Sequence, residues 1–360
     1  MFRFVLVPDD VVANVTIDGV VRYQPNTRAV FRHPDGGTST VHINADGWNS
    51  TKDHYAVPRK PGVARIAVVG DSYVHEALIE PRNAFPAIVE RGLNRAGSKA
   101  EVYRFGMDGA PLSQYLLMLR REVIRYRPDV VVVPIIHNDF DESWRQLSRR
   151  YSSSFLKIDT DAPGGPEEVP PVAFEPGLAD VLRKSATFRY LYYKTNAYLK
   201  FKGLISHFFW GGDEVWSPQN IQSGVDIRLI GDERRNRVAV TYVLREMKKL
   251  AEQHDFKLLF LMDGVREAVY AGKPISDYAV GSLNKLAADI TAREHLPFID
   301  LTEAFRADWA KHHQHFEFPF DWHWNNRGNR IVADVILRAI RNDLGEKRVR
   351  VRSDDAQNAG

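Results

Sequence analysis

The sequence predicts an α/β protein with a doubly wound parallel sheet, and two observations lead to that class. Short apolar segments alternate with helical segments from about residue 64 onward. One of the apolar segments, Val130-Val131-Val132-Val133, is continuous, as expected of a strand that is buried on both faces. Such an alternation predicts three layers, with the sheet between two layers of helices. Functional groups then gather beyond the carboxyl ends of the strands.

Five strands and five helices are expected in this region. The strands are predicted at 65–69, 101–105, 129–136, 257–262 and 297–300, and the helices near 84–97, 112–126, 236–254, 280–294 and 325–343. Together these elements define a main domain over residues 63–345.

Three further segments are expected around this domain. Residues 1–62 contain turn signals such as Asp18-Gly19 and are predicted to form a small β-rich extension. Residues 143–235 form a helical and aromatic insertion that is far longer than a normal connection. Its aromatic side chains either form a lid or substrate wall, or bury against the domain or a second subunit. Residues 346–360 are charged and rich in small residues, and are predicted to be disordered.

Composition excludes several classes of protein. The 49 basic and 46 acidic residues give a net charge of +3, which does not indicate a nucleic-acid partner. The chain has no cysteine, so disulfides and thiolate metal sites are excluded. No apolar run is long enough for a membrane span, and the apolar run at the N-terminus is too short for the core of a signal peptide. The expected location is the cytoplasm, or the periplasm or a membrane surface if an N-terminal anchor precedes this sequence; the oligomeric state is left open.

The first predicted strand ends in Gly70-Asp71-Ser72. A serine at this strand-to-helix junction has an exposed hydroxyl and a backbone N–H near a helix N-terminus, as a nucleophile with its own oxyanion donor requires. The alternative is that Asp71-Ser72 only caps the following helix.

A base for this serine is expected at His323, with Asp321 as the acid that orients it. Asn325 is predicted to cap the final helix, so both residues would lie on the loop before that helix. Three other histidines, His312, His313 and His315, are expected to form a solvated surface cluster rather than a metal site. No metal or cofactor is predicted.

Oxyanion donors are expected at the ends of the next two strands. Gly106 follows the second strand and could bring its backbone N–H close to an ester, whereas Asn138 follows the third and could offer a side-chain amide. Each also has a structural interpretation, as a turn glycine and a turn-forming asparagine. Their convergence on one edge of the sheet favours the functional interpretation.

These motifs together resemble the SGNH hydrolases, also called the GDSL esterase/lipase superfamily. Their order in the chain is Gly70-Asp71-Ser72, Gly106, Asn138-Asp139, and Asp321 with His323. The resemblance covers about residues 64–343 and implies a flavodoxin-like three-layer fold. It also implies that Ser72 is the nucleophile, that His323 is the base, that Asp321 is the acid, and that Ser72, Gly106 and Asn138 form the oxyanion hole.

The sequence departs from the common pattern of that superfamily in one place. The usual spacing is Asp-x-x-His, whereas this chain has Asp321-Trp322-His323, as in bacterial members that modify polysaccharides. Asp300 is therefore kept as a second candidate for the acid. The segment 109–115 resembles the second block of the family and is expected at the substrate rim.

The leading functional hypothesis is a serine esterase that removes small acyl groups, foremost acetyl, from a carbohydrate or related ester. The alternatives are an O-acyltransferase that acts on a polysaccharide and a non-catalytic glycan-binding module. The residues that flank the proposed nucleophile and base are expected to bind substrate; they are Asp71, Tyr73, Trp322 and Trp324. Asp139 and Asp141 are expected to form salt bridges or caps.

Overall fold

The computed structural model describes residues 12–145, 154–172 and 221–357. The chain begins with two antiparallel hairpins, formed by Asn14–Ile17 (β1) with Val20–Tyr23 (β2) and by Thr27–Arg32 (β3) with Thr38–Ile43 (β4). Asp18 and Gly19 join β1 to β2, both with positive φ, as a tight two-residue hairpin turn requires.

The centre of the molecule is a five-stranded sheet in which every pair of neighbours is parallel. Its strands are Ala64–Gly70 (β5), Ala100–Gly106 (β6), Val130–Ile135 (β7), Lys257–Met262 (β12) and Phe298–Asp300 (β13). The spatial order is β13-β12-β7-β5-β6. Numbered along the chain this is 2-1-3-4-5, the flavodoxin-like order, whose switch point lies between the first and third strands. The predicted fold class is confirmed.

Helices cover both faces of the sheet and complete the three layers. The helices are Ser72–His75 (α1), Phe85–Arg95 (α2), Leu112–Arg121 (α3), Asp139–Glu142 (α4), Glu233–His254 (α5), Arg266–Ala271 (α6), Gly281–Arg293 (α7), Thr302–His312 (α8) and Asn326–Gln357 (α9). Helices α3, α5 and α7 pack on one face, and α2, α8 and α9 on the other. Alternate residues of one strand, such as Ile66 and Ala67, therefore enter different cores.

The N-terminal hairpins share a core with the sheet. Val20, Tyr23 and Val41 are buried in the same cluster as Phe105 of β6, and Trp48 contacts Phe105 edge to face at 5.5 Å between ring centroids. The extension is therefore attached to the edge strand β6 by apolar packing.

The remaining strands are short antiparallel pairs outside the central sheet. They are Lys157–Asp159 (β8) with Glu167–Val169 (β9), Ile221–Gln222 (β10) with Val225–Asp226 (β11), and Glu317–Phe318 (β14) with Asp321–Trp324 (β15). Most of the predicted aromatic insertion, over 173–220, lies outside the described residues, so both interpretations of it stay predictions.

Helix α9 continues to Gln357, and the disorder expected for residues 346–360 stays a prediction. Among the described residues no helix is both long and apolar enough to cross a membrane.

Candidate active site

Ser72 lies at the point where β5 passes into α1, beside the switch point of the sheet. The preceding Asp71 is buried, and its Oδ1 accepts a hydrogen bond of 2.9 Å from the Tyr73 N–H. Asp71 is therefore the cap of α1, so the capping interpretation holds for this residue. The Ser72 hydroxyl takes no part in the cap and is left for another partner.

That partner is His323, whose Nε2 lies 2.7 Å from Ser72 Oγ. The other ring nitrogen, Nδ1, is hydrogen-bonded to Asp321 Oδ1, which also accepts the His323 backbone N–H at 2.8 Å. Since a carboxylate can only accept, Nδ1 carries the proton and Nε2 is free to accept the serine proton. The structure thus brings these three predicted residues into one hydrogen-bonded chain.

Asp321 and His323 lie on a strand, not on the loop expected from the sequence. They belong to β15, which pairs with β14 in a small hairpin. In an extended strand, residues two apart point to the same side, so the Asp-x-His spacing places both groups on one face. Asn325 accepts the N–H groups of Arg327 and Gly328 at 2.8 and 3.1 Å, and caps α9 as predicted.

The electrostatics of this pair favour a charged imidazolium. Burial lowers the pKa of His323, but the Asp321 carboxylate, with smaller effects from Glu76 and Asp71, outweighs burial and raises it to about 9. Burial raises the pKa of Asp321, whereas the hydrogen bond and charge of His323 bring it below its ordinary value. The pair is built to hold a positive charge on the ring, which general-base catalysis creates.

Two predicted oxyanion donors are available to a ligand. Within the described part of the chain, neither the Ser72 backbone N–H nor the Asn138 side-chain amide donates a hydrogen bond to another protein group. Asn138 is partly exposed and immediately precedes α4, beyond the end of β7. Both donors therefore lie at the carboxyl edge of neighbouring strands.

Gly106 has a packing role beside the one predicted for its backbone N–H. A Cβ on Gly106 would overlap the backbone of Val74 and His75, so this glycine lets α1 pack directly on β6. Gly109, in the segment expected at the rim, differs: it has φ +68°, and the space beside its α-carbon is open. Its N–H has no protein acceptor among the described residues. Gly109 is therefore a second candidate for the backbone donor on this loop.

The four residues expected to bind substrate occupy different environments. Tyr73 is buried, with its ring 4.6 Å from the His323 ring, and Asp71 is buried as the cap described above. Trp324 is fully buried and donates its indole N–H to Asp263 at 2.9 Å, so the prediction that it contacts substrate is wrong. Trp322 alone is exposed, at 39%. The two tryptophans are two residues apart on β15, and the contrast arises because only Trp324 joins the core beneath α9.

Sequence reasoning missed a buried arginine that holds the histidine strand. Arg266, at the start of α6, is fully buried and donates to the Trp322 carbonyl oxygen at 2.6 Å and to the Tyr73 hydroxyl at 3.2 Å. Tyr73 also donates to the Trp322 carbonyl, at 2.8 Å. The charge of Arg266 is met by Asp263 at 3.1 Å and by Glu317 at 3.5 Å. The residue before His323 is therefore fixed by two donors.

Glu76 is a second residue that the sequence did not single out. It ends α1 with φ +53°, an uncommon conformation for a residue with a side chain, and it is fully buried. Its carboxylate accepts Asn329 Nδ2 at 3.0 Å, and Asn329 also donates to the Trp324 carbonyl at 3.0 Å. Burial raises the pKa of Glu76 to about 8. The sequence around Glu76 contains no pattern that distinguishes this residue from an ordinary turn residue, so sequence reasoning did not find it.

The other candidate residues have separate partners. Asp300 accepts the Thr302 N–H at 2.8 Å and the Asn284 side-chain amide at 2.9 Å, and no contact joins it to His323 among the described residues. Asp139 is buried and accepts Tyr115 OH at 3.1 Å, and Asp141 pairs with an arginine one helical turn later.

The three histidines of the predicted surface cluster do not point to one shared site. His312 lies 3.9 Å from Asp308, His315 lies 3.0 Å from Glu317, and His313 packs edge to face on Trp309. In the described ranges no group of three or more histidine, aspartate or glutamate side chains is arranged to hold a metal ion.

Comparison with solved structures finds similar folds at low sequence identity. The acetyl xylan esterase AlAXEase is 15% identical with a TM-score of 0.42, over 77% of this chain and 99% of that chain. A lipase/acylhydrolase from Enterococcus faecalis is 16% identical with a TM-score of 0.42, over 78% and 96%. TesA is 11% identical with a TM-score of 0.40, over 77% and 98%. No family model and no curated protein matches the sequence.

Proposed function

We propose that this protein is a serine ester hydrolase with Ser72 as nucleophile, His323 as general base and Asp321 as the acid that orients it. The observation that carries the proposal is the 2.7 Å contact between His323 Nε2 and Ser72 Oγ, with Nδ1 of the same ring held by Asp321. A nucleophile, a base and an orienting group within hydrogen-bond reach are what covalent acyl transfer requires.

The reaction follows from the positions of these groups. Ser72 Oγ attacks the ester carbonyl carbon while His323 Nε2 takes the hydroxyl proton. The carbonyl oxygen becomes an oxyanion, for which the Ser72 N–H, the Asn138 amide and the Gly109 N–H are the proposed donors. His323 then returns the proton to the leaving alcohol, which leaves an acyl-serine. A water activated by His323 attacks that acyl group and frees Ser72.

We further propose an acetylated carbohydrate as the substrate, on the basis of the aromatic surface beside the site. Trp322 is exposed between Asp321 and His323, and Phe318 and Phe320 are partly exposed on the same hairpin. The rings of Phe318 and Phe320 lie 5.3 Å apart, and each also contacts His33 of the N-terminal hairpin. Aromatic faces next to polar groups suit the mixed surface of a sugar ring.

The first experiment measures hydrolysis of 4-nitrophenyl acetate by the wild-type protein and by Ser72→Ala and His323→Ala. We expect both variants to lose nearly all activity, whereas His312→Ala, a surface histidine, keeps it. Asn138→Ala is expected to lose about 10²–10³-fold in kcat, as removal of one oxyanion donor does. Equal activity in Ser72→Ala and wild type, with circular dichroism unchanged, would refute the serine mechanism.

A second experiment separates the possible acceptors of the acyl group. Release of acetate from acetylated xylo-oligosaccharides is compared with turnover of long-chain 4-nitrophenyl esters. Rapid turnover of the lipid-like esters without acetate release contradicts the carbohydrate proposal. Transfer of labelled acetyl to a glycan in excess of hydrolysis identifies an O-acyltransferase instead, and binding of a glycan without any turnover identifies a binding module.

A further inference from the structure

A second histidine and carboxylate lie beside the proposed nucleophile and have no part in the mechanism above. His75 is on the same short helix as Ser72, is 98% buried in its side chain, and lies with Nδ1 2.7 Å from Asp108 Oδ1. Because a carboxylate only accepts, this nitrogen carries the proton and donates it to Asp108. A buried imidazole thus holds one oxygen of this carboxylate.

The N-terminal extension completes the support of Asp108. The hydroxyl of Tyr23 accepts the Asp108 backbone N–H at 3.0 Å and lies 3.0 Å from His75 Nδ1. The Tyr23 ring stacks on His75 with 4.2 Å between centroids, and Tyr23 is itself buried. Asp108 is therefore fixed through both its backbone and its side chain, by residues from two other elements.

Asp108 nevertheless faces solvent at the edge that carries Ser72. Its side chain is 52% exposed although its anchor is buried. Gly70 of β5 pairs with Gly106 of β6 in parallel register, so Ser72 and Asp108 both lie two residues beyond the paired strand ends. Asp108 also precedes Gly109, the proposed backbone donor. The carboxylate therefore lies next to the space in which the ester must bind.

The charge state of Asp108 agrees with an acceptor role. Desolvation raises the pKa of Asp108. The charge and hydrogen bond of His75 and, more weakly, the charge of His323 outweigh desolvation and hold the pKa below its ordinary value. The group is an anion at neutral pH, and it senses the charge of His323.

We propose that Asp108 is a specificity residue of this site: its carboxylate accepts hydrogen bonds from the alcohol portion of the ester and selects against alcohols that carry a negative charge. This inference rests on the proposed function. It assigns a substrate class, esters of neutral polyhydroxyl or cationic alcohols, and disfavours uronate-like or phosphorylated ones. It also gives the N-terminal extension a role, because Tyr23 holds the residue in place.

The test uses two aryl acetates that differ in the charge of the leaving phenol. The substrates are 4-acetoxyphenyl-trimethylammonium and 4-acetoxybenzoate, and the measured quantity is the ratio of their kcat/KM values, divided by the ratio of their rates with hydroxide. Two unit charges about 7 Å apart in a water-rich cleft change binding by about three-fold, so the attracted cation and the repelled anion should differ by roughly nine-fold. The difference should shrink at high salt.

We expect the wild-type protein to favour the cation, Asp108→Asn to lose this preference, and Asp108→Glu to retain it. Glu252→Gln removes an exposed negative charge at the opposite end of the sheet, in the last turn of α5, and should leave the ratio unchanged. A wild type without preference for the cation overturns the proposal, as does an Asp108→Asn ratio within two-fold of wild type. If Ser72→Ala hydrolyses both esters like the wild type, the proposed function fails instead.

Discussion

The pair of Asp321 and His323 allows a quantitative prediction about pH. The pKa of His323 is raised to about 9, against an ordinary value of 6.5, and the hydrogen bond and charge of Asp321 are the main favourable causes. Only the neutral imidazole can accept the serine proton. The wild-type kcat/KM should therefore rise about ten-fold per pH unit from pH 6 and level off near pH 9.

The substitution Asp321→Asn removes the negative charge and one hydrogen-bond acceptor. Burial, which disfavours the imidazolium, is then opposed only by the weaker effects of Glu76 and Asp71. The acidic limb of the kcat/KM profile should move from about pH 9 toward pH 6.5. We expect a shift of more than about 1 pH unit, out of the roughly 2.5 units between these two values. The plateau should fall by about 10³–10⁴-fold, because the wrong tautomer is no longer excluded.

The pKa of His323 can be measured by NMR of the ring in a Ser72→Ala background, so low activity does not hide the shift. Asp300→Asn is the matched control, since Asp300 is hydrogen-bonded to Thr302 and Asn284 and should leave the limb near pH 9. An Asp321→Asn protein whose His323 still titrates near 9 would refute this reasoning. A shift in Asp300→Asn instead would assign the orienting role to that residue.

Three further predictions follow from the packing around the site. Gly106→Ala places a Cβ against the α1 backbone and should lower the free energy of unfolding by about 3 kcal/mol, measured by urea denaturation. Arg266→Met leaves Asp263 without its cationic partner and should cost about 3–5 kcal/mol in the same assay, with a lower kcat for any folded fraction. Glu76→Gln removes a buried carboxyl group that raises the pKa of His323 once it ionises, near pH 8, so the acidic limb of kcat/KM should move to lower pH, by less than in Asp321→Asn.

Glu76→Gln also changes the pH dependence of stability. The pKa of Glu76 is raised to about 8 in the fold, against an ordinary value of 4.5, so the folded state is progressively destabilised as pH rises from 4.5 to 8. The variant should therefore lose less stability than the wild type over this interval in thermal melts. If the melting temperatures of the wild type and Glu76→Gln change equally with pH, the raised pKa of Glu76 is contradicted. Unchanged free energies of unfolding in Gly106→Ala or Arg266→Met would contradict the predictions for those two variants.

Local pattern was sufficient for the elements of the fold. The valine run of β7 and the alternation of strands and helices predict the sheet, because burial on both faces leaves a signal in consecutive residues. The same holds for Ser72 at the end of β5, whereas Asp321 and His323 were expected on a loop and lie on the short strand β15. The sequence by itself thus determined the layers of the fold and three of the groups at its edge.

Only the tertiary structure decided how closely those groups approach and what surrounds them. Ser72 and His323 are 251 positions apart, and although the sequence predicts that they pair, neither segment encodes their 2.7 Å contact. Gly106 became a packing position and Trp324 a core residue because α1 and α9 close over them. A long-range contact with Tyr23 likewise fixes Asp108. The energies of such contacts depend on the approach of distant segments, whereas a sequence pattern reports only the environment along a single element.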